Sequence, residues 1–114
     1  MKWKETVAYS CRWSELVGEV LNLDNAEIVW EDSECDYQGR ASIVAVTKDN
    51  KIIHYGWTYG SCSGCDAWED ESVEEVKEEI KKTTSILDKE NYKYYKPSNS
   101  AMIEKIESYF KENK

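Results

Sequence analysis

The stretch from Ala26 to Tyr59 does most to limit what this chain can fold into, because its apolar side chains recur with a period of two. Ala26, Ile28 and Trp30 alternate with Glu27, Val29 and Glu31. Ala41 to Thr47 is dense in β-branched residues, and Ile52 to Tyr59 sets Ile53, Tyr55, Trp57 and Tyr59 against Ile52, His54, Gly56 and Thr58. Alternation of this kind is the signal of a strand with two distinct faces. Gly39 marks a bend. Lys48-Asp49-Asn50-Lys51 has the length of a hairpin loop, and Asp and Asn accept the backbone angles a tight turn needs. The expectation is an antiparallel meander of three strands.

On either side the period changes. Trp13, Leu16, Val17, Val20 and Leu21 fall at helical spacing, which predicts a helix over Ser10 to Leu21 with Ser10 as N-cap. Gly18 weakens that helix by roughly 1 kcal/mol relative to Ala. Trp3 to Tyr9 reads equally as a helical extension or a short strand. Asp24-Asn25 is a turn signal. Further on, Ser72-Val73-Glu74-Glu75 is a capping box, and Val73, Val76, Ile80, Thr84 and Leu87 continue one helical face. Tyr92, Tyr94 and Tyr95 stand among lysines before Pro97, which stops whatever precedes it. A last helix carries Met102, Ile103, Ile106, Tyr109 and Phe110. The predicted architecture is one α+β domain over residues 1–114: an N-terminal helix, three strands, a tight loop and two C-terminal helices.

Charge and hydropathy narrow the function classes. Fifteen basic and 23 acidic side chains give a formal charge of −8. Direct nucleic-acid binding runs on phosphate neutralisation by Lys and Arg, so the balance speaks against it. The longest aliphatic run, Ile43 to Val46, is far short of the ~20 residues of a membrane helix. The opening Met1-Lys2-Trp3-Lys4-Glu5-Thr6 has no apolar stretch behind its charges, so no secretory signal is expected. The expected setting is a reducing cytoplasm, where structural disulfides are disfavoured.

In such a compartment four cysteines ask for another explanation. Cys62 and Cys65 form C-x-x-C inside Ser61-Cys62-Ser63-Gly64-Cys65-Asp66. Two thiolates three residues apart on a glycine-containing turn can point at one ion, as in a zinc knuckle, where four tetrahedral ligands sit with Zn–S near ~2.3 Å. Cys11 and Cys35 are the only other thiols, and His54 the only imidazole. His54 lies eight residues before Cys62, and a strand rising ~3.3 Å per residue carries it away from the loop. The ranked ligand set is Cys11, Cys35, Cys62 and Cys65, holding one structural Zn²⁺. Two other readings stay open. A C-x-x-C can be a redox pair, although Asp66, Glu69 and Asp70 would raise its thiol pKa. Cys11 and Cys35 can be buried, inert side chains.

Asp66 to Glu79 holds eight carboxylates and one lysine, Lys77. Glu74–Glu78 and Glu75–Glu79 are like-charge i,i+4 pairs, each costing a few tenths of a kcal/mol. Glu31, Asp32, Glu34 and Asp36 form a second cluster. Either cluster can be a solvated face that aids solubility. The functional alternative is mimicry of a nucleic-acid backbone, with Glu69, Asp70, Glu71, Glu74, Glu75, Glu78 and Glu79 offered to a basic groove. Exposed aromatics, Trp68 and Tyr92 to Tyr95, would then supply anchoring contacts; core packing is the alternative for all of them and the first expectation for Trp68. Enzyme signatures are missing: there is one histidine, and no G-x-S-x-G, P-loop, Rossmann glycine pattern or H-E-x-x-H. The chain is not expected to be an enzyme.

Asp36-Tyr37-Gln38-Gly39, followed by a hairpin and then Tyr59-Gly60-Ser61-Cys62-Ser63-Gly64-Cys65-Asp66-Ala67-Trp68-Glu69, resembles a group of small proteins of phages and mobile elements. The likeness covers roughly residues 36 to 70. In size and charge the chain also looks like the anti-CRISPR class, in particular inhibitors of type II-A RNA-guided DNA nucleases. That resemblance implies a stoichiometric inhibitor without turnover, acting in a bacterial host cytoplasm. The competing expectation is a zinc-stabilised adaptor for an unrelated phage or host protein.

Overall fold

A computed structural model describes residues 1–34, 39–59, 68, 71–88, 90, 92 and 100–112. It is an α+β fold with helix α1 (Ser14–Leu21), strands β1 (Ala26–Glu34), β2 (Gly39–Thr47) and β3 (Ile52–Tyr59), helix α2 (Val73–Thr83), strand β4 (Ser85–Leu87) and helix α3 (Ser100–Glu112). The sheet is antiparallel throughout, in the order β1-β2-β3-β4.

Both faces of the sheet are covered. On one face, Ile28, Ile43, Ala45, Ile53, Tyr55 and Trp57 pack under the N-terminal turns, α1 and α2, with Trp3, Val17, Leu23, Trp68, Val76 and Ile80 as the covering residues. On the other, Val44, Val46 and Ile52 meet Met102, Ile106 and Phe110 of α3 together with Tyr92. The run Ile43 to Val46 follows from this: a strand buried on both sides has no polar face to alternate with. The β2–β3 hairpin closes as expected, with the Asn50 amide donating to the Thr47 carbonyl at 3.0 Å and Asn50 at φ 64°.

Four expectations change. First, α1 begins at Ser14, because Trp13 takes φ 75° and interrupts the helix. The residues before it form two 3₁₀ turns, Trp3–Glu5 and Ala8–Ser10, neither a helical extension nor a strand. Second, a β-bulge separates Ile28 from Trp30. Ile28 pairs with Ala45, but Trp30 pairs with Val44, so Trp30 lies on the α3 face. An extra residue in a strand moves every later side chain to the opposite face. Third, α2 stops at Thr83. Its last residue Thr83 and its C-cap Thr84 donate their hydroxyls back to the carbonyls of Glu79 and Ile80, and such bonds compete with helix propagation. Ser85 to Leu87 therefore does not extend the helix. It adds a fourth strand, pairing Ser85 with His54 and Leu87 with Ile52. Fourth, Val73 is 56% exposed and lies outside the core.

Gly18 has a packing reason. The Trp3 indole lies directly against it, where a Cβ would strike the ring nitrogen. The helix thus gives up some intrinsic stability to seat a buried Trp.

Candidate functional site

Helix α2 is built to be acidic on its outside. Ser72 caps it: its Oγ accepts from the Glu75 amide at 3.2 Å and donates to the Glu75 carboxylate at 3.0 Å. Val76 and Ile80 turn inward and are buried. With 100° between successive residues, Glu75 and Glu79 then share one flank, and Glu74 and Glu78 form the back. All four are exposed. Lys77 leans the other way and reaches Glu19 on α1 at 3.6 Å; Lys81 is 3.9 Å from Glu78. Glu71, Glu74, Glu75, Glu78 and Glu79 line one surface hollow of about 400 Å³. Partial desolvation raises the pKa of the Glu71 carboxyl, with Glu79 and Glu75 adding to the shift. Burial pushes the Tyr55 hydroxyl beneath this helix up to about 12, with Thr83 opposing the shift and Glu79 adding to it. Glu69 and Asp70, the remaining members of the predicted surface, lie outside the described residues.

The second acidic cluster is a different object. Because the bulge flips the strand, Glu31 pairs with Ile43 and lies on the face covered by the N-terminal turns. Its carboxylate accepts from the amides of Val7 at 3.1 Å and Ala8 at 3.0 Å. Asp32 and Glu34 are held by Arg40, at 3.1 and 3.6 Å. These carboxylates serve the fold locally, which the sequence pattern did not reveal. Asp36 lies outside the described residues.

Of the four predicted zinc ligands, Cys35, Cys62 and Cys65 lie outside the described residues, as does the tight loop that carries the C-x-x-C. Cys11 is buried at the end of a 3₁₀ turn, within the core beneath α1. Contrary to the expectation of reduced thiols, Cys11 is joined in a disulfide. A disulfide sulfur has no thiolate to give a metal, so a four-thiolate set belongs to the reduced chain. Among the described residues no three His, Cys, Asp or Glu side chains converge on one point in the way a metal requires. His54 stands on the opposite face of the sheet from Cys11, with Nε2 3.4 Å from Ser42 Oγ and its ring against Trp30. One ion cannot take both. Burial lowers the pKa of His54.

The predicted aromatic contacts divide. Trp68 is buried, edge-to-face with Trp13, and Tyr92 is buried against Phe110. Both belong to the interior, the first expectation for Trp68 and the alternative one for Tyr92. Tyr94 and Tyr95 lie outside the described residues. What the sequence reading missed is a cleft of about 570 Å³ beside α2, lined by Tyr9, Trp13, Leu16 and Val73 with Glu15 and Glu19. The signal for it was faint: it lies in Val73, an apolar residue at the first position of a helix that otherwise faces water there. Among the described residues no helix is long and apolar enough to cross a membrane. No protein-family model, curated protein or solved structure shows a match to this chain.

Proposed function

We propose that this chain is a stoichiometric protein inhibitor that lays the carboxylates of α2 on a basic, nucleic-acid-binding groove of its target. The target we name is a type II-A RNA-guided DNA nuclease in a bacterial host cytoplasm. Such a nuclease holds its guide–target heteroduplex in a positively charged channel, and an acidic protein seated there blocks loading of the nucleic acid. One observation carries the reading. Glu74, Glu78 and Glu79 are exposed on one helix, and among the described residues the three make a single ion pair, Glu78 with Lys81 at 3.9 Å, and none of them caps the helix through its side chain. The β1 cluster, equally acidic in sequence, is consumed by backbone amides and Arg40. We also propose that the reduced chain binds one structural Zn²⁺ through Cys11, Cys35, Cys62 and Cys65, a role in folding and not in catalysis.

The test is DNA cleavage by purified type II-A nuclease and guide, with this protein in molar excess. Wild type should suppress cleavage, less so as salt rises, since the Debye length falls from ~10 Å at 0.1 M to ~3 Å at 1 M. Glu74→Lys, Glu78→Lys and Glu79→Lys together should abolish inhibition, mainly through a slower on-rate. Glu75 is left intact because it is half of the capping box. Glu34→Lys is the control, being an exposed acid at the rim of the other cluster. Full cleavage at high excess across several such nucleases would refute the target. A folded triple variant that inhibits like wild type would refute the acidic face.

A further inference from the structure

The cleft beside α2 combines aromatic and apolar side chains with Ser10, Ser14 and two acids, a combination the acidic helix alone does not have. Tyr9, Trp13 and Leu16 are partly exposed within it, and Val73 is 56% exposed at its margin. Glu15 and Glu19 stand on the same rim. Glu19 shares Lys77 at 3.6 Å, while Glu15 makes no ion pair among the described residues. The cleft is open to solvent, and its volume of about 570 Å³ leaves room for one long side chain. Trp13 has already shown what its ring accepts: the Arg12 guanidinium lies 5.1 Å from the ring centroid, and Arg12 is not among the residues that line the cleft.

We propose that this cleft receives one arginine side chain from the basic surface of a partner protein. This rests on the reading that α2 meets such a surface. A guanidinium is planar, stacks on aromatic rings and forks onto carboxylates, and it sheds water more readily than an ammonium. Tyr9 and Trp13 supply the rings, Glu15 and Glu19 the acceptors, and Leu16 and Val73 take the methylene stem. Val73 directly precedes Glu74, so the chain bearing that arginine runs on along the α2 carboxylates. The cleft is then the anchor, and α2 supplies attraction over a longer range. Interfaces are commonly organised this way, with an enclosed arginine or aromatic near the centre and charge around it.

The probe is a capped hexa-arginine peptide, titrated into the ¹⁵N-labelled full chain, with capped hexa-citrulline as its neutral isostere. The Trp13 indole N–H should shift saturably with hexa-arginine and stay still with hexa-citrulline. Affinity should drop about tenfold in Trp13→Leu and a few-fold in Glu15→Gln. Because Trp13 also packs on Trp68, Glu15→Gln, an exposed change, keeps the test valid should Trp13→Leu fail to fold. Shifts confined to the amides of α2, with the Trp13 and Tyr9 signals unmoved, would overturn the proposal. So would a folded Glu15→Gln chain that binds as wild type does. The titration needs no nuclease. A chain that binds hexa-arginine in the cleft but inhibits nothing loses the functional reading alone, and one that inhibits with Trp13 unmoved loses the cleft alone.

Discussion

Replacing Glu31 by Ala should destabilise the protein more than any other single change among its surface acids. The Glu31 carboxylate accepts the Val7 amide at 3.1 Å and the Ala8 amide at 3.0 Å. It thereby ties the turn Ala8–Ser10 to β1. Hydrogen bonds to a charged group contribute roughly 1.5–3 kcal/mol each. Water replaces the carboxylate at the exposed Val7 amide, so that bond is discounted heavily. The Ala8 amide is partly buried and would lose its acceptor. The expected loss is about 2 kcal/mol, and about half of that for Glu31→Gln, which keeps a neutral acceptor. With a urea m-value of roughly 1.5 kcal/mol/M for a domain of this size, the midpoint of unfolding should fall by about 1.3 M with m unchanged. Glu34→Ala is the comparison: its carboxylate sits 3.6 Å from an exposed Arg40, and such surface pairs contribute about 0–1 kcal/mol. Circular dichroism during urea titration reads both. Equal midpoints for Glu31→Ala and Glu34→Ala would show that the carboxylate does not hold the turn, and the assignment of the β1 acids to local structure would fall with it.

Three further outcomes are expected. Gly18→Ala, which on helix propensity alone gains about 1 kcal/mol, should instead lower the melting temperature, since its Cβ meets the Trp3 ring; a higher melting temperature would refute the close approach. Tyr55 titrates near 10 when unfolded and at about 12 when folded, so the stability it contributes is complete below pH 10 and is lost as pH rises towards 12, on the order of 2 kcal/mol in all; denaturant midpoints of wild type and Tyr55→Phe should diverge across that window, and parallel curves would contradict it. Reduced, metal-free chain offered Zn²⁺ should take up one ion with release of thiol protons, whereas oxidised chain should take up none; elemental analysis of both forms decides, and zinc retained by the oxidised form would remove Cys11 from the ligand set.

The fold was legible where one physical signal acted alone. The β2–β3 hairpin, the Ser72 capping box and the apolar face of α3 each follow from spacing and composition within a short window, and each stands where it was expected. Prediction failed where local and tertiary signals competed. Ile28 and Trp30 share a period-two pattern, yet the bulge between them puts one under α1 and the other under α3. Nothing in Ile28-Val29-Trp30 announces an extra residue, because all three are apolar and both faces are covered. Thr84 and Leu87 continue the helical phase of Val76 and Ile80, but two consecutive threonines turned their hydroxyls on the helix carbonyls, and the open edge of β3 took Ser85 to Leu87 instead. Trp13 gave no warning of φ 75°, since its spacing to Leu16 and Val17 suits a helix. Of the candidate site, the α2 acids were readable because a capping box sets the helical phase. The cleft was not, because its walls come from the turn at Tyr9, the break at Trp13 and the first residue of α2, which only the tertiary fold brings together.

The two acidic clusters show why composition is a weak guide to an interaction surface. In sequence, Glu31-Asp32-Ser33-Glu34 and Glu74-Glu75 with Glu78-Glu79 look alike, and net charge counts them alike. In the fold, the first set is bonded to amides or to Arg40, so its charge is satisfied before any partner arrives. In the second, Glu75 is bonded to Ser72, Glu74 shares the first turn where the helix dipole favours an acid, and Glu78 lies 3.9 Å from Lys81. The pairs Glu74–Glu78 and Glu75–Glu79 nonetheless set like charges at i,i+4, at a cost of a few tenths of a kcal/mol per pair. A solvated face has no need of that cost, because alternating signs solubilise a helix equally well and also stabilise it. Carboxylates of one sign, kept against local stability and beside a cleft lined by Tyr9 and Trp13, fit a surface shaped by something outside the chain. On the function proposed above, the partner would need positive charge spaced to meet a helix and carried on a group that can also enter an aromatic cleft.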